Sequence, residues 1–481
     1  MDTHAHAPFR IVQVNLQSDR GGDGRIVSDL HKRYRALGYS ASLLVGRGTA
    51  TAEGERLLSN DQYRSLWART WLAGVRRSPS QRLPSPKSAK LLSWVAEPKR
   101  RLRIRGGFED FEFPATLPLL SRSIGEGPTI LHLHNLHGGY FDLRALPALS
   151  RLAHIVLTLH DQWAFTGHCA HSFECERWRL GCGHCPDLTI YPGIPKDRTA
   201  ENYILKQRIF SRTSLYLSSP SRWLMNKAKQ SLLAPAIEEE RVIPNGVDTA
   251  VFHPGDSGIE RSRLGLPRES RIVLSAGAIA RSDHWTDRRL FRSTLRCLAE
   301  QGLVGLTLVL LGSERSSQQE IEGIQVIHRP YEHDAERVAS YYRASDVYLH
   351  PARAETFSMA ALESLACGVP VVATDVGGIP EVVKSLWAGK DAIASPPSAA
   401  TGILVEAADT TGLGRAIDLL LSQEDLRRRL GENGSSVAAS EFSIAQQAQR
   451  YLNWYREILW RQGPTVRSVE GNASRRRGRR Q

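Results

Sequence analysis

No stretch of this sequence reaches the 18 or so consecutive apolar residues that a membrane-spanning helix needs, although 41% of its 481 residues are hydrophobic. A spanning helix is therefore not expected. The N-terminal MDTHAHAPFR runs directly into the strand-like IVQVNL without the pattern of a secretory signal, so a cytoplasmic location is expected. The glycines after that strand lack the spacing of a dinucleotide fingerprint, and nothing in the chain resembles a nucleic-acid-binding module. Cysteine is scarce, six in all, but four of the six fall between Cys169 and Cys185.

Positive charge is plentiful and unevenly placed. The net charge is +13. Residues 53–105 hold 13 Lys/Arg against 4 Asp/Glu, and residues 467–481 hold 6 Arg against one Glu, which leaves the rest of the chain close to neutral. The length predicts two domains of roughly 200 residues. The first, residues 8–252, opens with a strand from Arg10 to Leu16, a turn from Ser18 to Gly24, a helix to about Leu37 and a second strand from Tyr39 to Val45. In an open parallel sheet such a glycine-rich loop faces the ligand crevice, so Gly21 and Gly22 are either site residues or plain turn glycines.

Residues 53–125 interrupt this rhythm as a basic insertion. Trp67, Trp71 and Trp94 lie among arginines, and Pro79, Pro84, Pro86 and Pro98 are expected to break any long helix. The mixture suits an anionic lipid surface, a solvated insertion or, less well, a nucleic-acid patch, so peripheral attachment to the inner face of the plasma membrane is an expectation. Strand periodicity resumes at 129–134 and again at 154–159, the latter ending in His160-Asp161. His160 is the leading histidine, because open α/β sheets put working groups at strand ends. A structural role against a carbonyl is its alternative, and His134 and His137 are weaker candidates. In the loop at 160–190, Cys169, Cys175, Cys182 and Cys185 follow C-x5-C-x6-C-x2-C spacing. They are candidates for a structural zinc, with free packed thiols or a redox pair as alternatives, and His168, His171 or His184 could replace one of them. A linker is expected over 253–267. The second domain runs to 443, an aromatic-rich helix covers 444–461, and a basic tail over 464–481 reads as disordered.

The most informative stretch is 346–383, DVYLHPARAETFSMAALESLACGVPVVATDVGGIPEVV. It predicts a strand over 347–350, a buried helix from Ser358 to Cys367 ended by Gly368, a buried strand over 369–373 and a turn at Gly377-Gly378. Thr356, Phe357 and Ser358 then lie at a helix N-terminus, where free amides and the dipole would receive a phosphate or diphosphate. Glu355 and Glu363 would bracket that site about 12 Å apart along the axis and accept sugar and ribose hydroxyls.

This stretch resembles the donor-binding segment of retaining glycosyltransferases of family 4, whose E-x7-E pattern Glu355 and Glu363 match. The IPNGVD…FHP run at 243–254 resembles the family's end of the first domain, and the Cys-bearing loop after TLHD, with W-x-F-T-G-x-C at 163–169, is similar to a branch associated with bacterial exopolysaccharides and colanic-acid-type transferases. The resemblance implies the GT-B fold, two Rossmann-like α/β domains facing a cleft. It also implies transfer of a sugar from a nucleotide-sugar donor to a lipid-linked or saccharide acceptor, with no metal or other cofactor for catalysis and with His160 across the cleft. The final helix would cross back to the first domain. The chain departs from the family's Gly-Arg and Lys-Gly pair, having Ala276-Gly277-Ala278 and Asp287-Arg288-Arg289, so Arg281 and Arg289 become the candidate diphosphate cations. A nucleotide-sugar epimerase or glucan synthase on the same fold, or an inactive binding subunit, are the alternatives.

Overall fold

The computed structural model describes residues 9–18, 21–48, 53–76, 86–277, 285, 288–300 and 305–461. Arg281, the 464–481 tail, Pro79 and Pro84 lie outside the described residues; of Arg289 only the backbone, in helix Arg288–Glu300, is described.

The first sheet has strands β1 (Arg10–Asn15), β2 (Ser40–Val45), β3 (Glu55–Leu57), β4 (Thr129–Leu133), β5 (His154–Thr158), β6 (Leu215–Ser219) and β7 (Ile237–Val242). They lie in the order β3-β2-β1-β4-β5-β6-β7 and all neighbours are parallel. The central strands are nearly continuous apolar runs because helices cover both faces. β1 connects outward to β2 on one side and pairs β4 on the other, so a crevice opens at the carboxyl ends of β1 and β4.

The second sheet repeats the plan with β8 (Arg271–Ala276), β9 (Leu306–Ser313), β10 (Ser317–Ile321), β11 (Ile324–Pro330), β12 (Val347–His350), β13 (Val371–Thr374) and β14 (Gly402–Val405). Its order is β10-β11-β9-β8-β12-β13-β14, and its switch point lies between β8 and β12. Only the β10–β11 pair is antiparallel among the described strands. The helix Ile444–Arg461 returns to the first sheet, burying Tyr451, Trp454 and Tyr455 among Phe9, Ile11 and Ile130. Two Rossmann-like halves thus face each other, the GT-B arrangement expected from the sequence.

Several expectations need correction. The first helix starts at Gly21, so Gly21 and Gly22 are its first residues rather than a preceding turn. The basic insertion is largely helical: Pro86 and Pro98 open the helices Pro86–Ala96 and Pro98–Arg105, where a missing N–H costs nothing, instead of breaking one. The expected linker contains a helix, Ser257–Leu264, capped by the Asp256 side chain on the Ile259 N–H (2.9 Å) and closed by Gly265 at φ 62°.

Candidate active site

β12 ends at His350, and the chain turns to Ser358, which caps the helix Met359–Ala366 by accepting the Ala361 N–H at 3.3 Å. Ser358 has φ 69°, a left-handed conformation that costs a non-glycine residue energy and is concentrated at functional turns. The turn is clamped from behind by Gly377-Gly378. A Cβ on Gly377 would lie 1.8 Å from the Glu355 carbonyl oxygen and one on Gly378 2.2 Å from that of Thr356, so only glycines allow this approach.

Glu355 folds onto this turn. Its Oε1 accepts the N–H of Thr356 at 3.0 Å and, more weakly, that of Phe357 at 3.5 Å; its Oε2 lies 3.4 Å from His350 Nε2, which also meets Ser358 Oγ at 3.2 Å. Burial pushes the Glu355 carboxyl up, but His350 and the two amides outweigh it and hold the group below the usual carboxylate range. The sequence placed an open anion site at these amides. Instead the neighbouring carboxylate occupies it, because the turn brings Glu355 within reach of the N–H groups that follow it. Thr356 and Phe357 differ from expectation in a second way. Thr356 Oγ1 donates to the His160 carbonyl across the crevice at 2.8 Å, while the Phe357 ring is a core side chain against Phe442.

Glu363 is buried and also engaged. Its Oε1 meets Arg25 Nη1 at 3.0 Å and its Oε2 accepts the Tyr342 hydroxyl at 3.1 Å. Burial dominates and leaves this carboxyl above its usual range despite Arg25. Arg25 sits on the first helix of the opposite half, just past Gly22, which packs beside Met359 at a spacing that a Cβ would fill by ordinary contact, 3.4 Å from Met359 Cγ. No local pattern marks Arg25, since its partner is 338 residues away. The halves are further joined by Ser221 Oγ donating to the Thr356 carbonyl (2.7 Å) and by Glu381 accepting the N–H groups of Arg222 and Trp223 (2.8 and 2.9 Å).

Facing Glu355 is a polar group at the carboxyl ends of β1, β4 and β5. Asp23 Oδ2 accepts from Asn135 at 2.9 Å and Asn15 at 3.3 Å. His134 Nδ1 lies 3.0 Å from His160 Nε2, and His137 Nε2 lies 2.7 Å from Asp161 Oδ2. Burial opposes a charged His137, but Asp161 outweighs it and raises the imidazole; the same contact overcomes burial to lower the Asp161 carboxyl. The sequence reading therefore found His160 but missed Asn15, Asp23, Asn135 and Asp161 as its surroundings, and Arg25 as the partner of Glu363. The strand-end rule that selected His160 applies equally to Asn15 and Asn135 and could have found them.

Cys169, Cys175, Cys182 and Cys185 line one cavity together with His168. His168 Nε2 is 3.3 Å from Cys185 Sγ, and Gly167 N–H donates to Cys182 Sγ at 3.2 Å. Burial pushes the Cys169 thiol up to about 12 and the Cys182 thiol up to about 11. Among the described residues no three His, Cys, Asp or Glu side chains are grouped as a metal ion would need. The four sulfurs the sequence singles out are thus brought to one cavity; a zinc there would need them to converge as thiolates at bonding distance.

Residues 290–437 match the family described as Glycosyl transferases group 1. WcaC of Escherichia coli (strain K12), provisionally named a colanic acid biosynthesis glycosyl transferase, is 27% identical over 389 residues, covering 78% of this chain and 85% of that protein. The D-inositol 3-phosphate glycosyltransferase of Acidothermus cellulolyticus is 30% identical over 230 residues, and the chain spans about half of it, 48%. Among solved structures, sucrose-phosphate synthase from Thermosynechococcus elongatus aligns with a TM-score of 0.59 at 19% identity, covering 94% of this chain and 99% of that one. Anabaena Alr3699/HepE, solved with UDP-glucose, aligns with a TM-score of 0.57 at 14% identity, covering 93% and 99%. Two facing Rossmann-like halves with a polar crevice between them make the GT-B fold, and the match to the group 1 family with the named relatives makes the class glycosyltransferase. Within that class, the chain carries a Glycosyl transferases group 1 domain in its C-terminal half.

Proposed function

We propose that the chain transfers a sugar from a nucleotide-diphosphate sugar to a hydroxyl of a saccharide or lipid-linked acceptor, with retention at the anomeric carbon. The product would be an exopolysaccharide or another cell-surface glycan. The observation that carries this reading is the Glu355 turn, its amides already holding an anion, set against His160 through the Thr356–His160 hydrogen bond of 2.8 Å. In this reading the donor diphosphate replaces the Glu355 carboxylate on the Thr356 and Phe357 amides, and the released carboxylate accepts from sugar hydroxyls. Glu363 exchanges Arg25 for ribose hydroxyls, which leaves the guanidinium free to meet the charge growing on the leaving diphosphate. The name of WcaC and the UDP-glucose bound to Alr3699/HepE support the glycan and donor classes.

A panel of nucleotide sugars tested by thermal shift checks the donor. A ligand at 100 times its Kd adds about 2.7 kcal/mol of stability, so one member should raise the Tm clearly, and the transferred sugar should keep its anomeric configuration by proton NMR. No shift from any nucleotide sugar, or an inverted product, sinks the reading.

The same proposal includes docking on an anionic membrane. No described helix is long and apolar enough to cross one. The insertion exposes Leu66, Trp67, Trp71, Leu91 and Leu102 together with Arg69, Lys99, Arg103 and Arg105. Each basic residue near anionic headgroups adds about 1 kcal/mol, and the tryptophans suit the interface. Vesicles of phosphatidylcholine with phosphatidylserine should retain the protein at low salt, and Trp67→Ser/Trp71→Ser should weaken retention. Equal recovery with and without phosphatidylserine overturns this docking mode.

A further inference from the structure

We infer that His134 is a positioning residue that locks His160 into the tautomer carrying its proton on Nδ1, making His160 a fixed hydrogen-bond donor that faces the crevice. His132 and His134 project from the same side at the end of β4, their ring centroids 4.0 Å apart, and both are buried. Both nitrogens of His132 are occupied: Tyr455 OH lies 2.6 Å from Nδ1, and Nε2 lies 2.7 Å from Thr158 Oγ1. His134 has one partner, His160 Nε2 at 3.0 Å, and its own Nε2 is buried without any. Burial pushes all three imidazoles below their ordinary range, so near neutral pH each carries a single proton.

Only two arrangements satisfy the 3.0 Å contact. In one, His160 Nε2–H donates to His134 Nδ1, and His134 must then carry its proton on the walled-off Nε2. That creates a buried N–H with no acceptor, which proteins avoid more strictly than an unmet lone pair. In the other, His134 Nδ1–H donates to His160 Nε2, the walled-off nitrogen is a bare lone pair, and the His160 proton sits on Nδ1. The second arrangement leaves no orphan donor. It also closes His160 Nε2 as a proton acceptor for substrate. The Nδ1 of His160 has no partner among the described residues, and the His160 backbone carbonyl is itself held by Thr356, so ring and backbone are both oriented before any ligand arrives. That the Nδ1–H meets a donor sugar rests on the function proposed above; the tautomer does not.

Long-range nitrogen–proton NMR of the full chain labelled with 15N-histidine tests this, with His160 and His134 assigned from the spectra of His160→Gln and His134→Gln. The expected wild-type spectrum has His160 protonated at Nδ1. His134→Leu, which offers neither donor nor acceptor, should release the His160 ring so that Nδ1–H and Nε2–H forms both appear, and should raise the nucleotide-sugar KM about tenfold, the worth of one misdirected hydrogen bond. His134→Gln, whose amide can donate, should preserve the tautomer and most of the affinity. A wild-type His160 protonated at Nε2 overturns the inference whatever the variants do. An Nδ1–H signal with an unchanged KM in His134→Leu upholds the tautomer and instead removes His160 from the donor site.

Discussion

Glu355→Gln should reduce turnover about a hundredfold to a thousandfold, the order seen when one preorganised electrostatic partner of a transition state is removed. Glutamine keeps the size of the side chain and can still accept the Thr356 N–H through its amide oxygen, so the turn should persist. What it removes is the charge, which His350 and the amides of Thr356 and Phe357 hold on this carboxylate against the effect of burial. A site that maintains a half-buried carboxylate in its ionised form is suited to positive character developing at a bound sugar. Glu363 differs, since burial leaves its carboxyl raised and Arg25 already neutralises it. Glu363→Gln should therefore act mainly on donor KM. Initial rates at saturating donor separate the two. Turnover within threefold of wild type for Glu355→Gln would remove Glu355 from the reaction centre and with it the assigned role of the turn.

The Glu355 segment was legible because its local signals agree with its tertiary setting. Strand Val347–His350 falls at the residues that periodicity selects. The helix after Ser358 is shorter by one residue at each end, as fraying termini usually are. Other elements were hidden by the absence of an apolar pattern. Strand β10 reads SQQEI and is almost wholly exposed, so it owes its conformation to pairing with β11 rather than to burial. The helix Ser257–Leu264 does announce itself, with Asp256 before it and Gly265 after it, but a Pro- and Gly-containing stretch between two domains carries the composition of a linker as well. Arg25 belongs to a different kind of omission. A lone arginine after a glycine turn carries no sign of a partner in the other half, and only the closing of the crevice gives it one. In the Cys loop the spacing does bring Cys169, Cys175, Cys182 and Cys185 to one cavity, while burial, which no spacing shows, raises the Cys169 and Cys182 thiols.

The largest effect on stability is expected at Lys206, which no motif singled out. Its ammonium is fully buried and donates to Glu109 Oε1 at 2.9 Å and to the carbonyls of Trp163 and Thr166 at 2.8 and 3.0 Å, with the Trp163 ring 3.8 Å away. Burial opposes both charges, pushing Glu109 up to about 7 and Lys206 down. Neither would stay ionised alone in this setting. Their attraction, two backbone acceptors and a π face together offset the desolvation. Removing one partner leaves the other buried and uncompensated, so Lys206→Met should cost about 3–5 kcal/mol. Glu109→Leu on that background should restore part of the loss, because two apolar groups no longer face an orphan charge. The damage should also be local first. Lys206 ties the helix Thr199–Phe210 to the turn that follows His160-Asp161 and leads into the cysteine loop, while Glu109 brings in the end of the basic insertion. Limited proteolysis of Lys206→Met should therefore open 160–190 before the second sheet is cut, and its Tm should fall well below that of the double variant. Equal Tm values for wild type and Lys206→Met would show that the ammonium contributes no net stability and that the loop is held by the surrounding aromatic packing.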